Sequence, residues 1–169
     1  MLEDGFTLEE AAQVAIFPFF YASGGVDFFA DLHAFEHGSE RVIIDSENFT
    51  AFVPYAARWP VELHLMPKRA ISDLSQLRPS EADELADVYK RILSGLDKLY
   101  AGPTPYISAW HQAPMIENRE RIRLMLQITS PRRAEDKLKY LAGSESAMGA
   151  FVGDLAPEDT ANRLREVIS

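Results

Sequence analysis

Arg121-Ile122-Arg123-Leu124-Met125-Leu126-Gln127-Ile128-Thr129, closed by Ser130-Pro131, alternates strictly. Ile122, Leu124, Leu126 and Ile128 fall on one side, and Arg121, Arg123, Met125, Gln127 and Thr129 on the other. Successive side chains of a strand point to opposite faces. This pattern therefore predicts a half-buried antiparallel strand with an apolar core face and a decorated face. Just upstream, Tyr106-Ile107-Ser108-Ala109-Trp110-His111 reads as a second strand, and the short loop 112–120 favours pairing the two as a hairpin.

Working outward, Arg41-Val42-Ile43-Ile44 and Phe49-Thr50-Ala51-Phe52-Val53 read as two strands joined by a tight turn. Glu62-Leu63-His64-Leu65-Met66, stopped by Pro67, reads as another. Leu85, Val88, Tyr89, Ile92, Leu93, Leu96, Leu99 and Tyr100 recur at three-four spacing, which predicts a long helix over 81–100 capped by Ser80. Residues 157–167 give a last amphipathic helix with Pro157 in its first turn. A helical stretch is expected after Arg132-Arg133, running to Leu141, with Gly143 and Gly149 as breaks. The whole predicts an α+β domain, an antiparallel sheet of about five strands covered by helices.

The N-terminal part has a different character. Thr7-Leu8-Glu9-Glu10 fits a capping box, and Ile16-Phe17-Pro18-Phe19-Phe20-Tyr21 is unusually aromatic. Residues 27–37 read as a helix with Phe28, Leu32 and Phe35 on one face, stopped at Gly38. We divide the chain into a helical and aromatic extension, 1–38, and a domain, 39–169.

A chain of 169 residues with 47% hydrophobic and 25% charged residues matches a single soluble globular domain. The net charge of −9 argues against a nucleic-acid partner, since phosphate contact needs clustered cations. With no cysteine, disulfides and thiolate metal sites are excluded. The acidic N-terminus lacks the basic start of a signal peptide, and no apolar run approaches the ~20 residues of a membrane span. A cytoplasmic location away from membranes is the expectation.

The chain has four histidines, His33, His37, His64 and His111. His33 and His37 stand four apart, a spacing that can share a metal, but no third ligand lies near and a helix C-terminus favours histidine anyway. His64 shares a strand face with Glu62 and Met66 and is expected to face solvent.

Five stretches, in order, resemble the C-terminal half of galactose-1-phosphate uridylyltransferases, in the histidine-triad superfamily. They are Phe52-Val53-Pro54-Tyr55-Ala56-Ala57-Arg58-Trp59-Pro60, Met66-Pro67-Lys68, Trp110-His111-Gln112-Ala113-Pro114, Leu126-Gln127-Ile128-Thr129-Ser130-Pro131-Arg132-Arg133 and Lys137-Leu138-Lys139-Tyr140-Leu141-Ala142-Gly143-Ser144-Glu145. The resemblance spans about 41–167, and the first forty residues carry no such signal. It implies a histidine-triad-like (HIT-like) domain. In that family a neutral imidazole of a His-Pro-His motif attacks the α-phosphorus of a UDP-sugar, and fixed donors stabilise the phosphoryl oxygens.

This chain has no His-Pro-His. Where the family places metal-ligand imidazoles it carries Arg123 and Met125, a fixed cation and a thioether, so the active site reads as degenerate and no metal cofactor is expected. The family's Pro-Lys-x-His is here Pro67-Lys68-Arg69-Ala70. His111 alone matches a second-half metal ligand and stands as a residual site residue. The resemblance places Lys139, Tyr140 and Glu145 at the hexose pocket, with Arg123 and Gln127 on the decorated strand face as further contacts to a sugar phosphate or UDP-sugar.

Besides a structural remnant that binds nothing, two readings stay open. In one, the chain supplies the hexose-phosphate end of a uridylyltransferase and works beside a separate N-terminal-half chain or as a homodimer. In the other, it is a non-catalytic HIT-like module that binds a nucleotide or sugar phosphate.

Overall fold

The computed structural model describes residues 28–113, 115, 119, 122–153 and 155–168. The expected capping box and the aromatic stretch 16–21 lie outside the described residues. A boundary between two compact units falls between Phe35 and Glu36.

Of the first unit only part of helix α1, Phe28–Glu36, is described. Its inward stripe is not the expected one. Phe29 is buried and Phe35 is 63% exposed. In the second unit, the buried Glu36 accepts from Arg41 Nε at its Oε2, at 2.9 Å.

The second unit is built on five antiparallel strands: β1 Val42–Asp45, β2 Phe49–Phe52, β3 Val61–Pro67, β4 Ile107–His111 and β5 Met125–Ser130. Their order across the sheet is β1-β2-β3-β5-β4. The expected hairpin partners do pair, with Trp110 opposite Leu126 and His111 opposite Met125. β5 buries alternate residues as its sequence requires. It is shorter than the alternation suggests because β3 ends at Pro67. Beyond that point the N–H of Leu124 bonds to the Ile71 carbonyl at 2.7 Å instead of to a strand.

Helix α2, Pro79–Leu96, and helix α4, Pro157–Val167, cover one face of the sheet. Ala51, Leu63, Leu65, Leu126 and Ile128 meet Leu85, Val88, Ile92, Leu96, Ala161 and Leu164 in one core. Tyr89 of α2 reaches Ser108 of β4 at 2.9 Å, and its ring meets Trp110 edge-on. Ser80 does not cap α2. Pro79, whose fixed φ suits the first turn, starts it, and Glu81 reaches back to the Arg78 N–H at 2.8 Å.

The expected helix over 132–141 is absent. β6, Arg132–Ala134, and β7, Lys137–Leu138, form a small hairpin there. Arg132 draws the chain outward by donating to the carbonyls of Gly102 and Pro103 at 3.0 and 2.9 Å and stacking on Tyr100. Gly143 and Gly149 do not break a helix; they bound a short one. Helix α3, Gly143–Met148, ends at Gly149 with φ +65°, a conformation glycine adopts without strain.

Gly95 marks the closest approach in this core. A Cβ there would stand 2.3 Å from Ile168 Cγ1 and 3.1 Å from its Cα. The Gly95→Ala helix-propensity gain of about 1 kcal/mol is opposed by overpacking of about 1–3 kcal/mol. Because a backbone atom is among those struck, overpacking wins. A lowered urea midpoint with unchanged m-value is the expected result, and an unchanged or raised midpoint would refute it.

Candidate functional site

The face of the sheet opposite α2 carries the polar residues. Register brings Glu62 opposite Thr129, His64 opposite Gln127, and Gln127 opposite Ala109 beside His111. These side chains bond to one another. Gln127 Nε2 donates to Glu62 Oε1 at 2.8 Å, His64 Nε2 lies 3.3 Å from the same oxygen, and His111 Nε2 lies 3.2 Å from Gln127 Oε1. Glu62 Oε2 accepts the backbone N–H groups of Arg58 and Trp59 at 2.7 and 3.2 Å.

His64 does not face solvent as expected. Its side chain is 13% exposed, packed edge-on to Phe52 and drawn toward Glu62. Glu62 is 2% exposed. Burial alone would raise its pKa, but the bonds from His64, Arg58 and Gln127 outweigh that and hold the carboxyl at about 2. Sequence reading passed over Glu62 as a site residue. Its signal was present: a carboxylate on the same strand face as a histidine, opposite the decorated face of β5.

Lys139 and Glu145 form a second cluster. Lys139 Nζ is 2.6 Å from Glu145 Oε1 and donates to the carbonyls of Arg58 and Val152 at 2.7 and 2.8 Å. An ammonium has three donors, and all three are engaged inside the protein. Glu145 also accepts the N–H groups of Ala142 and Val152, and with Lys139 as the leading cause its carboxyl is held at about 2. The crevice lined by Lys139, Trp59, Pro60 and Thr160 measures about 10 Å³, room for one water and no sugar. Tyr140 is 85% exposed.

The two clusters meet at Arg58, whose N–H goes to Glu62 and whose carbonyl takes Lys139. The loop 54–60 thus couples the sheet face to the segment 139–145. Arg123 lies apart from both clusters. With Arg119, Ser72, Gln76 and Ala70 it lines a depression of about 380 Å³.

No set of three metal-ligating side chains gathers among the described residues, at His33 and His37 or elsewhere. The donor chemistry at the strand positions does not fit a metal either. His111 faces a thioether, Met125, across the ladder, and its Nε2 is engaged with Gln127. No helix among the described residues is long and apolar enough to cross a membrane.

The five-stranded antiparallel sheet with helices on one face is the fold of histidine-triad proteins. A zinc-bound histidine triad family protein from Mycobacterium smegmatis shares it over 83% of this chain and 91% of its own, with TM-score 0.52 at 17% identity. The pattern described as galactose-1-phosphate uridyl transferase, C-terminal domain, matches residues 13–168, and this chain belongs to that family. The match begins well before residue 41, so it includes much of the stretch in which sequence reading found no signal.

Among curated relatives, galactose-1-phosphate uridylyltransferase of Thermotoga maritima is 37% identical over 131 residues, covering 76% of this chain and 41% of the relative. A solved uridylyltransferase superposes with TM-score 0.83 at 32% identity, over 95% of this chain and 50% of that one. The chain thus spans about half, or less, of these relatives' length.

Proposed function

We propose that this chain acts as the C-terminal half of a hexose-1-phosphate uridylyltransferase and works beside a separate chain that carries the His-Pro-His nucleophile. The observation that supports this reading is the family match: the C-terminal-domain pattern covers residues 13–168, and the Thermotoga maritima relative aligns over 76% of this chain and 41% of its own length. In this reading the partner's histidine takes the uridylyl group from UDP-glucose, breaking the pyrophosphate bond and releasing glucose-1-phosphate, and galactose-1-phosphate then breaks the P–N bond, giving UDP-galactose and the free imidazole. This chain supplies no nucleophile. Its segment 139–145, fixed by the Lys139–Glu145 pair, presents the exposed Tyr140 toward the hexose. A phosphate reaching Lys139 would displace one of its three protein bonds. Gln127, held by Glu62, and His111, in turn held by Gln127, present polar groups on the sheet face.

The test is purification of the tagged chain from its native host. Recovery of a chain bearing His-Pro-His is expected, with uridylyl transfer in the mixture and none by either chain alone. Absence of transfer in every mixture would sink the reading.

A second reading, a non-catalytic module for a nucleotide or sugar phosphate, is favoured by one observation: Arg119 and Arg123 line the same depression with Ser72 and Gln76. Guanidinium groups suit phosphate oxygens, and a phosphate there would compete with Asp73, which is ion-paired with Arg119. Titration calorimetry with UMP, UDP-glucose and galactose-1-phosphate checks it, and no heat with any of the three would count against it.

A further inference from the structure

Helix α3 ends at Gly149, and residues 149–153 then lie against the Lys139–Glu145 pair. One residue's main chain makes the contact. The Val152 N–H donates to Glu145 Oε1 at 3.1 Å, and its carbonyl accepts from Lys139 Nζ at 2.8 Å. The side chains of Lys139 and Glu145 are only 7% and 2% exposed. The centroid of the Phe151 ring stands 5.8 Å from the Lys139 ammonium and 5.5 Å from Arg58 Cζ.

Little else holds this strap. Gly149 and Ala150 bond back to α3, and among the described residues no further hydrogen bond reaches 149–153. Phe151 is 38% and Val152 56% exposed. A segment with so few buried contacts opens at low cost. What could replace Val152 follows from the pair itself. Glu145, with its carboxyl held at about 2, is ionised at neutral pH and only accepts, whereas Lys139 only donates. An occupant must offer a donor and an acceptor side by side, as a hydroxyl beside a second oxygen does.

We infer that the strap 149–153 is a closed lid over the hexose end of the site, with the Val152 main chain standing where a hydroxyl and a neighbouring oxygen of a sugar phosphate would bind. This rests on the reading that segment 139–145 faces the hexose. It accounts for the small size of the crevice beside Lys139, which Gly153 helps to line. Only Val152 has to withdraw, because the Arg58 carbonyl still holds Lys139 and the Ala142 N–H still holds Glu145. Affinity for such a ligand is lowered when the strap is mostly closed, so a change that frees the strap must raise it.

Calorimetry with galactose-1-phosphate and exchange of single amides by NMR are run on the parent chain and on Phe151→Ala, which removes the ring from both cations. The variant should bind the sugar phosphate at least about threefold more tightly. Without ligand, its Val152 amide should exchange at least about threefold faster than the parent's. In both proteins the bound sugar phosphate should speed Val152 exchange by about fivefold or more. The Ala142 amide, bonded to the other oxygen of Glu145, should keep its protection.

Binding that leaves Val152 exchange unchanged, or equal affinity of parent and variant, would overturn the lid. No heat with either protein would also overturn it, since a freed strap leaves nothing to exclude the ligand. Inorganic phosphate that speeds Val152 exchange as much as the sugar phosphate does would overturn the two-point ligand. The two-chain reading is judged separately, by transfer activity in the mixture.

Discussion

Glu62→Ala should destabilise the domain by about 4 kcal/mol at neutral pH and lower its melting temperature by about 10 °C. The carboxylate is buried and takes four bonds: two loop N–H groups, the Gln127 amide and His64. Alanine supplies no acceptor, so the backbone N–H groups of Arg58 and Trp59 and the side chains of Gln127 and His64 lose their partner. A donor left unsatisfied away from water costs about 1–3 kcal/mol, and these part-buried donors fall toward the lower end.

The same residue gives the parent protein a definite pH dependence. The folded pKa of Glu62 is about 2, below its ordinary value of 4.5. A carboxyl with a depressed folded pKa binds fewer protons folded than unfolded. Its contribution is therefore complete above the unfolded value and is lost as pH falls from there toward 2. A depression of that size corresponds to about 3 kcal/mol. Thermal melts between pH 7 and pH 2 should show the gap between parent and Glu62→Ala narrowing on the acid side. A constant gap, or a variant that melts with the parent at pH 7, would show that the network does not hold the loop.

Arg41→Ala is the second large effect. Arg41 and Glu36 are 10% and 2% exposed, 2.8 Å apart, and Arg41 also reaches Glu158 at 2.9 Å and lies over the Tyr55 ring. Glu36 in turn accepts the Tyr55 N–H at 3.1 Å. Removing the guanidinium leaves a buried carboxylate without its countercharge, a change that costs about 3–5 kcal/mol. The more exposed Glu158 contact contributes less. The diagnostic is the double variant Arg41→Ala/Glu36→Gln, which removes the stranded charge and should recover at least about 1 kcal/mol of the loss. Equal midpoints for the single and double variants in urea would rule out this account.

Glu62 also shows what the chain sequence could and could not disclose. Alternation placed Glu62, His64 and Met66 on one face of β3, and placed Gln127 on the decorated face of β5. Register then decided that Glu62 and Gln127 touch, and register depends on where Pro67 and Pro131 stop the two strands. His64 looked solvent-facing because strand periodicity tells which side a residue is on, not whether that side is covered. Lys139 and Glu145 were legible as a pair worth attention through their resemblance to the family. Only the folded chain showed Lys139 turned inward to the carbonyls of Arg58 and Val152, which lie far from it in sequence.

The helix expected over 132–141 failed for a related reason. Its charged residues fit a helix surface equally well, but Arg132 finds its acceptors in the turn at Gly102 and Pro103, and those long-range bonds outweigh a local preference. By itself, the sequence determined the antiparallel α+β sheet, because period-two and three-four hydrophobic spacing is read locally, residue by residue, and it disclosed the family through five motif stretches in order. Tertiary structure decided which polar residues meet and that Arg123 lies with Arg119, Ser72 and Gln76. Those depend on register and on contacts between segments whose distance in the chain no local pattern encodes.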